Sequence, residues 1–277
     1  MYKKLSLQSA LLTHGILIVG ALTMLMPFIW MVMTSFKTLP EVLHVPIVWI
    51  PEKLTFASYI TAWHKLNFLR YTLNTVIVTV SLTIGQLFLC SLAAYSFARL
   101  RFPGRDVIFF VLLSVLMVPA QMTMIPKYML MIRLDWLDTY RGLIIPNLPS
   151  VYGTFILRQF FKSIPTELEN AAKIDGCSYF RLYWNIFLPL AQNALIAFGI
   201  FVVIWAWNDF LWPLIVTTSD ELRVLPVGIA TLLGSFYSHE YNLIMAASVL
   251  ATLPLIIVFI VGQKHVIAGI SVSGIKG

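Results

Sequence analysis

Asp209 is the acidic residue that falls within an otherwise apolar span, following Trp205, Trp207 and Asn208. A carboxylate at the centre of a bilayer costs about 2.5–3.5 kcal/mol on insertion scales, so such groups usually face a bundle interior or a cavity. Two readings stay open for it: a group that hydrogen-bonds solute hydroxyls along a pathway, or one that joins helices or sits near the interface. Asn208, Gln121, Asn147 and Asn74 also stand in apolar surroundings. Amides of this kind either line a polar path or bond one helix to another. A second concentration of charge, Glu167, Glu169 and Asp175, lies beside Gly176 in a polar connection.

Covalent chemistry finds little support. His14, His44, His64, His239 and His265 are far apart and show no H-E-x-x-H or comparable ligand spacing. Cys90 and Cys177 have no C-x-x-C pattern, and no G-x-S-x-G elbow marks a nucleophile. The phosphate cradle G-x-x-x-x-G-K-[ST] is missing as well, so nucleotide is expected to act in another chain. No catalytic residue and no metal ligand is expected.

The elements that must position the polar residues are apolar helices. Of 277 residues, 59% are hydrophobic and 11% charged, against about 25% charged in soluble domains. Uncharged runs recur at Leu5–Phe36, Tyr71–Ala98, Val107–Pro126, Gly142–Leu157, Leu182–Asn208 and Tyr241–Gln263. About 20 apolar residues cross the hydrocarbon layer as a helix, and these continuous runs lack the alternation of a barrel. The reading is an all-α integral membrane protein with six transmembrane helices. The fourth run is short and carries Pro146, Asn147 and Pro149. Extended to Thr139–Phe161 it reaches spanning length, as a kinked helix facing a cavity.

The net charge of +7 does not signal nucleic acid, because the 19 Lys and Arg residues are scattered between apolar runs. Placing the N-terminus in the cytoplasm puts eleven of the nineteen inside, including the compact cluster Arg99, Arg101 and Arg105. The expected organisation is an N-terminal segment and first span (1–36), an extracytoplasmic connection (37–70), a core transmembrane domain (71–264) and a cytoplasmic tail (265–277). The core domain would hold a cytoplasmic loop at 162–189.

Within that loop, Thr166 followed by Glu169 has the spacing of a capping box, which predicts a helix start. Leu168, Ala171 and Ala172 are spaced to share one thin face. Gly176 suits a left-handed helix end, and Ser178 suits the cap of a second helix that runs to Pro189. The stretch Asn170-Ala171-Ala172, three residues, Gly176, nine residues, then Ile186-Phe187-Leu188-Pro189 resembles the EAA loop of binding-protein-dependent (type I) ABC importer permeases. Asn170 departs from it, standing where the pattern has glutamate. ELENAAKIDG, TSFK at 34–37, AWNDFLWPL at 206–214 and the tail VSGIKG resemble the carbohydrate branch, particularly the maltose-permease type.

The resemblance implies the type I importer permease fold and a chain that moves a sugar or oligosaccharide. It implies as partners a second homologous permease subunit, two ATP-binding subunits that hold ATP and Mg, and an extracytoplasmic solute-binding protein. The setting is the lipid bilayer of a prokaryotic cytoplasmic (inner) membrane, and no cofactor is implied in this chain. Glu167, Glu169, Asn170, Ala171, Ala172, Asp175, Gly176 and Pro189 would couple the permease to the ATPase. The tail would reach the interface between the ATP-binding subunits. The competing readings are a self-sufficient secondary transporter that uses Asp209 for proton coupling, and a membrane-embedded enzyme. The first lacks visible paired halves, and the second lacks a cluster of reactive groups.

Overall fold

A computed structural model describes residues 7–234 and 240–273, with side chains for 11–234 and 240–264. All regular elements among the described residues are helical. Along the chain α1 spans Leu7–Ser35 and α2 spans Phe68–Arg99, with short helices at Leu39–Leu43 and Ala57–Lys65 in the connection. Then come α3 (Arg105–Ser114), α4 (Met124–Arg133), α5 (Tyr140–Ile144), α6 (Val151–Ser163), α7 (Thr166–Ile174) and α8 (Tyr179–Leu182). The chain continues through α9 (Gln192–Trp207), α10 (Leu211–Val216), α11 (Leu225–Thr231) and α12 (Tyr241–Ser273).

Three stretches are long and apolar enough to cross a membrane: Leu11–Ser35, Phe68–Arg99 and Tyr241–Lys264. Two bent pairs raise the number to five if each is one span. Arg105–Met117 with Ala120–Arg133 bends by 97°, and Tyr179–Leu190 with Gln192–Trp207 bends by 77°. The fourth expected span is in pieces, α5, a tight turn at Ile145–Asn147 and α6, so six continuous spans are not found among the described residues. The prolines supply the reason. Pro146 and Pro149 bring no N–H to the ladder, and Ser150 opens a new helix by accepting from the Gly153 amide at 3.1 Å. Val118 is pushed to an extended conformation ahead of Pro119, which sets the first bend. A π-turn at Tyr183–Phe187 ends two residues before Pro189, near the second bend.

The chain divides into two compact units, one from Met1–Phe68 and Gly228–Leu253, the other from Leu69–Val227 and Pro254–Gly277. In the first, Lys37 is 1% exposed. Its amine donates to the Val48 carbonyl and lies 4.4 Å from the centre of the Trp30 ring. In the second, buried Tyr95, Leu157, Phe161, Ala172, Leu182 and Phe187 share one apolar cluster. The hydroxyls of Thr75, Thr83 and Ser96 turn back to carbonyls of α2 at 2.7–2.9 Å. These three hydroxyls are satisfied within their own helix, as a water-poor setting favours.

Candidate functional site

Helix α7 begins at Thr166, as its spacing predicts, but not through a capping box. Pro165 is the N-cap and no side chain caps the helix. Glu169 points inward instead, 7% exposed, with Oε2 at 3.6 Å from Arg99 and Oε1 accepting from Lys173 at 2.7 Å. With Pro165 as the cap, Glu169 stands one position past that of a capping box, and the cap itself has no N–H for a carboxylate to meet. At the other end Gly176 takes φ 78°. The amides of Gly176 and Cys177 donate to the carbonyls of Lys173 and Ala172, which is a Schellman ending. Ser178 then caps α8 by accepting from the Arg181 amide at 3.4 Å.

The face of α7 differs from the expected one. Ala172 is 8% exposed and packs in the apolar cluster, while Ala171 is exposed. The two alanines therefore serve opposite sides: Ala172 seats the helix and Ala171 belongs to its outer surface. Glu167, Leu168, Asn170, Ile174 and Asp175 are exposed with it, and Ile174 is 86% exposed. Pro189 is exposed in the short turn Leu188–Leu190.

Two buried guanidiniums brace this region. Arg99, the last residue of α2, donates to the carbonyls of Phe161 and Ile164 just where α6 ends. Arg158 of α6 donates through Nε to the Phe97 carbonyl near the end of α2 at 3.1 Å. The last carbonyls of a helix have no partner within it. Here each helix lends an arginine to the other's open end, where the dipole also favours a cation.

Elsewhere in the same unit a cavity of about 500 Å³ is lined by Gln86, Lys127, Asn147, Tyr152, Phe201 and Trp205, among others. Asn147 organises its polar wall. Its Oδ1 accepts from Lys127 Nζ at 2.6 Å, its carbonyl accepts from Gln86 at 2.8 Å, and its Nδ2 donates to the Leu143 carbonyl at 3.0 Å. Aromatic rings beside amides and a cation suit a hydroxylated solute that presents both apolar and polar faces.

Residues 86–272 match the family described as binding-protein-dependent transport system inner membrane component. The chain belongs to that family. This permease is 33% identical over 272 residues to the arabinooligosaccharides transport system permease protein AraQ of Halalkalibacterium halodurans, covering 97% of both chains. It is 30% identical to the sn-glycerol-3-phosphate transport system permease protein UgpE of Yersinia enterocolitica, covering 93% of this chain and 94% of that one. Its fold superposes with a TM-score of 0.82 on a crystal structure of a bacterial ABC transporter involved in the import of the acidic polysaccharide alginate. That likeness carries 26% identity and covers 95% of this chain and 98% of that one. The protein is thus an all-α, multi-pass membrane protein with the type I importer permease fold.

The pathway candidates of this permease separate. Asn147 lines the cavity. Asn74 does not: it is 1% exposed, donates to the Glu221 and Arg223 carbonyls at 2.8 Å each, and accepts from the Tyr140 hydroxyl at 2.7 Å. Its bonding capacity goes into holding the 221–223 segment on α2. Asn208 is exposed and turns back to the Ile204 carbonyl at 2.7 Å, and Gln121 is exposed on a short turn. Asp209 lies past the end of α9, in the break before α10, and is not among the residues that line the cavity. Sequence reasoning missed Gln86, and Lys127, the charge that ends the third uncharged run, was not singled out. An amide near the middle of the second run, alongside Asn74, was the available signal for Gln86. The last four residues of the expected tail, 274–277, lie outside the described residues.

Proposed function

We propose that this chain is a permease subunit of an ATP-binding cassette importer that brings a sugar or oligosaccharide into the cytoplasm across a prokaryotic cytoplasmic membrane. The observation that carries the reading is full-length likeness to permeases whose names specify arabinooligosaccharides and, for a Streptomyces coelicolor relative 33% identical, diacetylchitobiose. A glycerol-phosphate ester belongs to the same chemical range, given the sn-glycerol-3-phosphate permease. The cavity walled by Asn147, Lys127, Gln86 and aromatic rings would be this subunit's share of the route. A second homologous permease would complete the route, and an extracytoplasmic binding protein would deliver the solute.

Two ATP-binding subunits with ATP and Mg would drive the cycle from the cytoplasmic side. The exposed face of α7, with Leu168, Ala171 and Ile174 ringed by Glu167, Asn170 and Asp175, supports docking there. Apolar groups within a polar rim are the composition of a protein contact. Movement of docked subunits would then carry the helices between inward-facing and outward-facing states. Co-purification tests the proposal: an ATPase and a second permease should accompany the tagged chain, and uptake into vesicles should need ATP and a binding protein. Uptake by the purified chain alone would overturn it.

A further inference from the structure

We propose that Arg99 is a positioning residue that locks α7 to α2 and α6, so that displacement of α7 passes undiminished into the wall of the cavity. The inference rests on α7 being the docking helix. Arg99 and Glu169 have side chains only 5% and 8% exposed, and their charges face at 3.6 Å. Two carbonyls, of Phe161 and Ile164, take further donors of the same guanidinium, and the Phe187 ring lies 5.0 Å beneath it. Three elements therefore converge on one side chain: α2 that carries it, α6 whose end it caps, and α7 that supplies the carboxylate.

The alternative is a loop that moves by itself. Glu169 could then keep Lys173, which is on the same helix and 40% exposed at its side chain. Arg99 has no such substitute in α7 and would be left a buried cation short of its carboxylate. Stranding one member of a buried pair costs far more than the pair contributes, so moving the three elements together is the cheaper path. Arg158 strengthens the assembly from the opposite side. Besides the Phe97 carbonyl it meets Asp106 at 3.3 Å and covers the Phe109 ring at 3.9 Å, so α6 and the start of α3 cannot slide freely past α2.

The body defined in this way reaches the route. From Arg99 the helix α2 runs back to Gln86, whose amide donates to the Asn147 carbonyl in the cavity wall. Farther along, Asn74 fastens the 221–223 segment. A helix is stiff along its axis, so a push at Arg99 is delivered at Gln86. Coupling of this sort requires a physical element that both sites bias, and α2 with its arginine clasp is that element.

Spin-label distances in the assembled complex test the assignment without needing the solute. Nitroxides are placed at exposed Thr166, the first residue of α7, and exposed Ile84 of α2, through Thr166→Cys and Ile84→Cys with Cys90→Ala and Cys177→Ser. Distances are read with no nucleotide and with Mg and a non-hydrolysable ATP analogue. The separation should stay constant between the two states, and in Arg99→Gln it should change by about 2 Å or more, the scale of helix shifts at interfaces. Arg99→Lys, which keeps the cation, should restore the constant separation. A separation that changes in the parent protein, or stays constant in Arg99→Gln, overturns the proposal. Loss of the ATPase subunits from the Arg99→Gln complex also overturns it, because Arg99 would then only fold the docking loop. A third label on the ATPase reports separately on docking: if α7 is remote from it, the docking reading fails on its own.

Discussion

Lys127 Nζ donates to Asn147 Oδ1 at 2.6 Å while lying 4.1 Å from the centre of the Trp212 ring. An amine in apolar surroundings keeps its charge only with such compensation. Asn147→Ala removes the acceptor and should lower the stability of the complex by about 1–3 kcal/mol. Asn147→Asp keeps an acceptor for Lys127, strengthened by charge, but loses the Nδ2 donor to the Leu143 carbonyl, so its thermal midpoint is measured beside uptake. A loss of uptake in Asn147→Asp, at unchanged thermal midpoint, therefore reports on the route and not on folding. Uptake at the parental rate in that variant would remove Asn147 from the pathway.

At Gly176 the backbone angle, not crowding, restricts the residue. The φ of 78° is left-handed, and an added Cβ meets nothing within 4 Å. The penalty for an L side chain there is about 1–2 kcal/mol. Asn tolerates this region better than β-branched residues. Gly176→Asn should retain most of the coupled transport and Gly176→Val should lose most of it, with hydrogen exchange rising at the amides of Gly176 and Cys177. Equal behaviour of the two variants would mean that the Schellman ending is not what shapes the loop.

The parts of this protein that were legible in the sequence are those with local causes. Uncharged runs forecast the apolar helices, Pro146 and Pro149 forecast the break before α6, and the spacing from Gly176 to Ser178 forecast the turn between α7 and α8. Glu169 shows why the rest was hidden. With Thr166 as the cap it would stand at the third position and could reach back, but the cap is Pro165, and the group it meets instead, Arg99, belongs to a helix far away in the chain. Ala171 and Ala172 carry the same limitation. Adjacent identical residues cannot reveal which one turns toward a neighbour until the neighbour is known. Lys127 was passed over because its own charge ends the uncharged run, and the acceptor that holds it, Asn147, lies 20 residues on.

Acid should loosen the contact between the 134–139 connection and residues 218–219. Burial pushes the Asp138 carboxyl up, but the amides and hydroxyls of Ser219 and Thr218 outweigh it and hold the group below its ordinary value. Both amides donate to Oδ1 at 3.0 Å. A carboxylate depressed in the folded state stabilises above its unfolded pKa of about 3.9, and that contribution is lost as pH falls through the folded value. Exchange of the Thr218 and Ser219 amides should therefore be slow at pH 7 and begin to accelerate relative to neighbouring amides below about pH 4. Asp138→Asn should remove this extra acid dependence, and it leaves the backbone unstrained, since the residue sits at φ 53°, which Asn tolerates. A pH profile identical in the parent and in Asp138→Asn would refute the assignment.

Ala171 and Ala172 should respond in opposite ways to one and the same substitution. Ala172 packs with Tyr95, Phe161 and Leu182, so Ala172→Asp would bury a carboxylate without a partner at a cost of about 3–5 kcal/mol. Low membrane levels of the chain, or a large fall in thermal midpoint, should follow. Ala171 is exposed, so Ala171→Asp should leave expression and unfolding unchanged. On the docking reading it places a charge among Leu168 and Ile174, and a desolvated interfacial charge with no partner weakens a contact by about 2–5 kcal/mol. The ATPase subunits should then be lost on purification while the two permease subunits stay together. If Ala171→Asp retains the ATPase and transports normally, the outer face of α7 is not where the complex is driven. If Ala172→Asp folds as well as the parent, the inward seating of α7 is wrong.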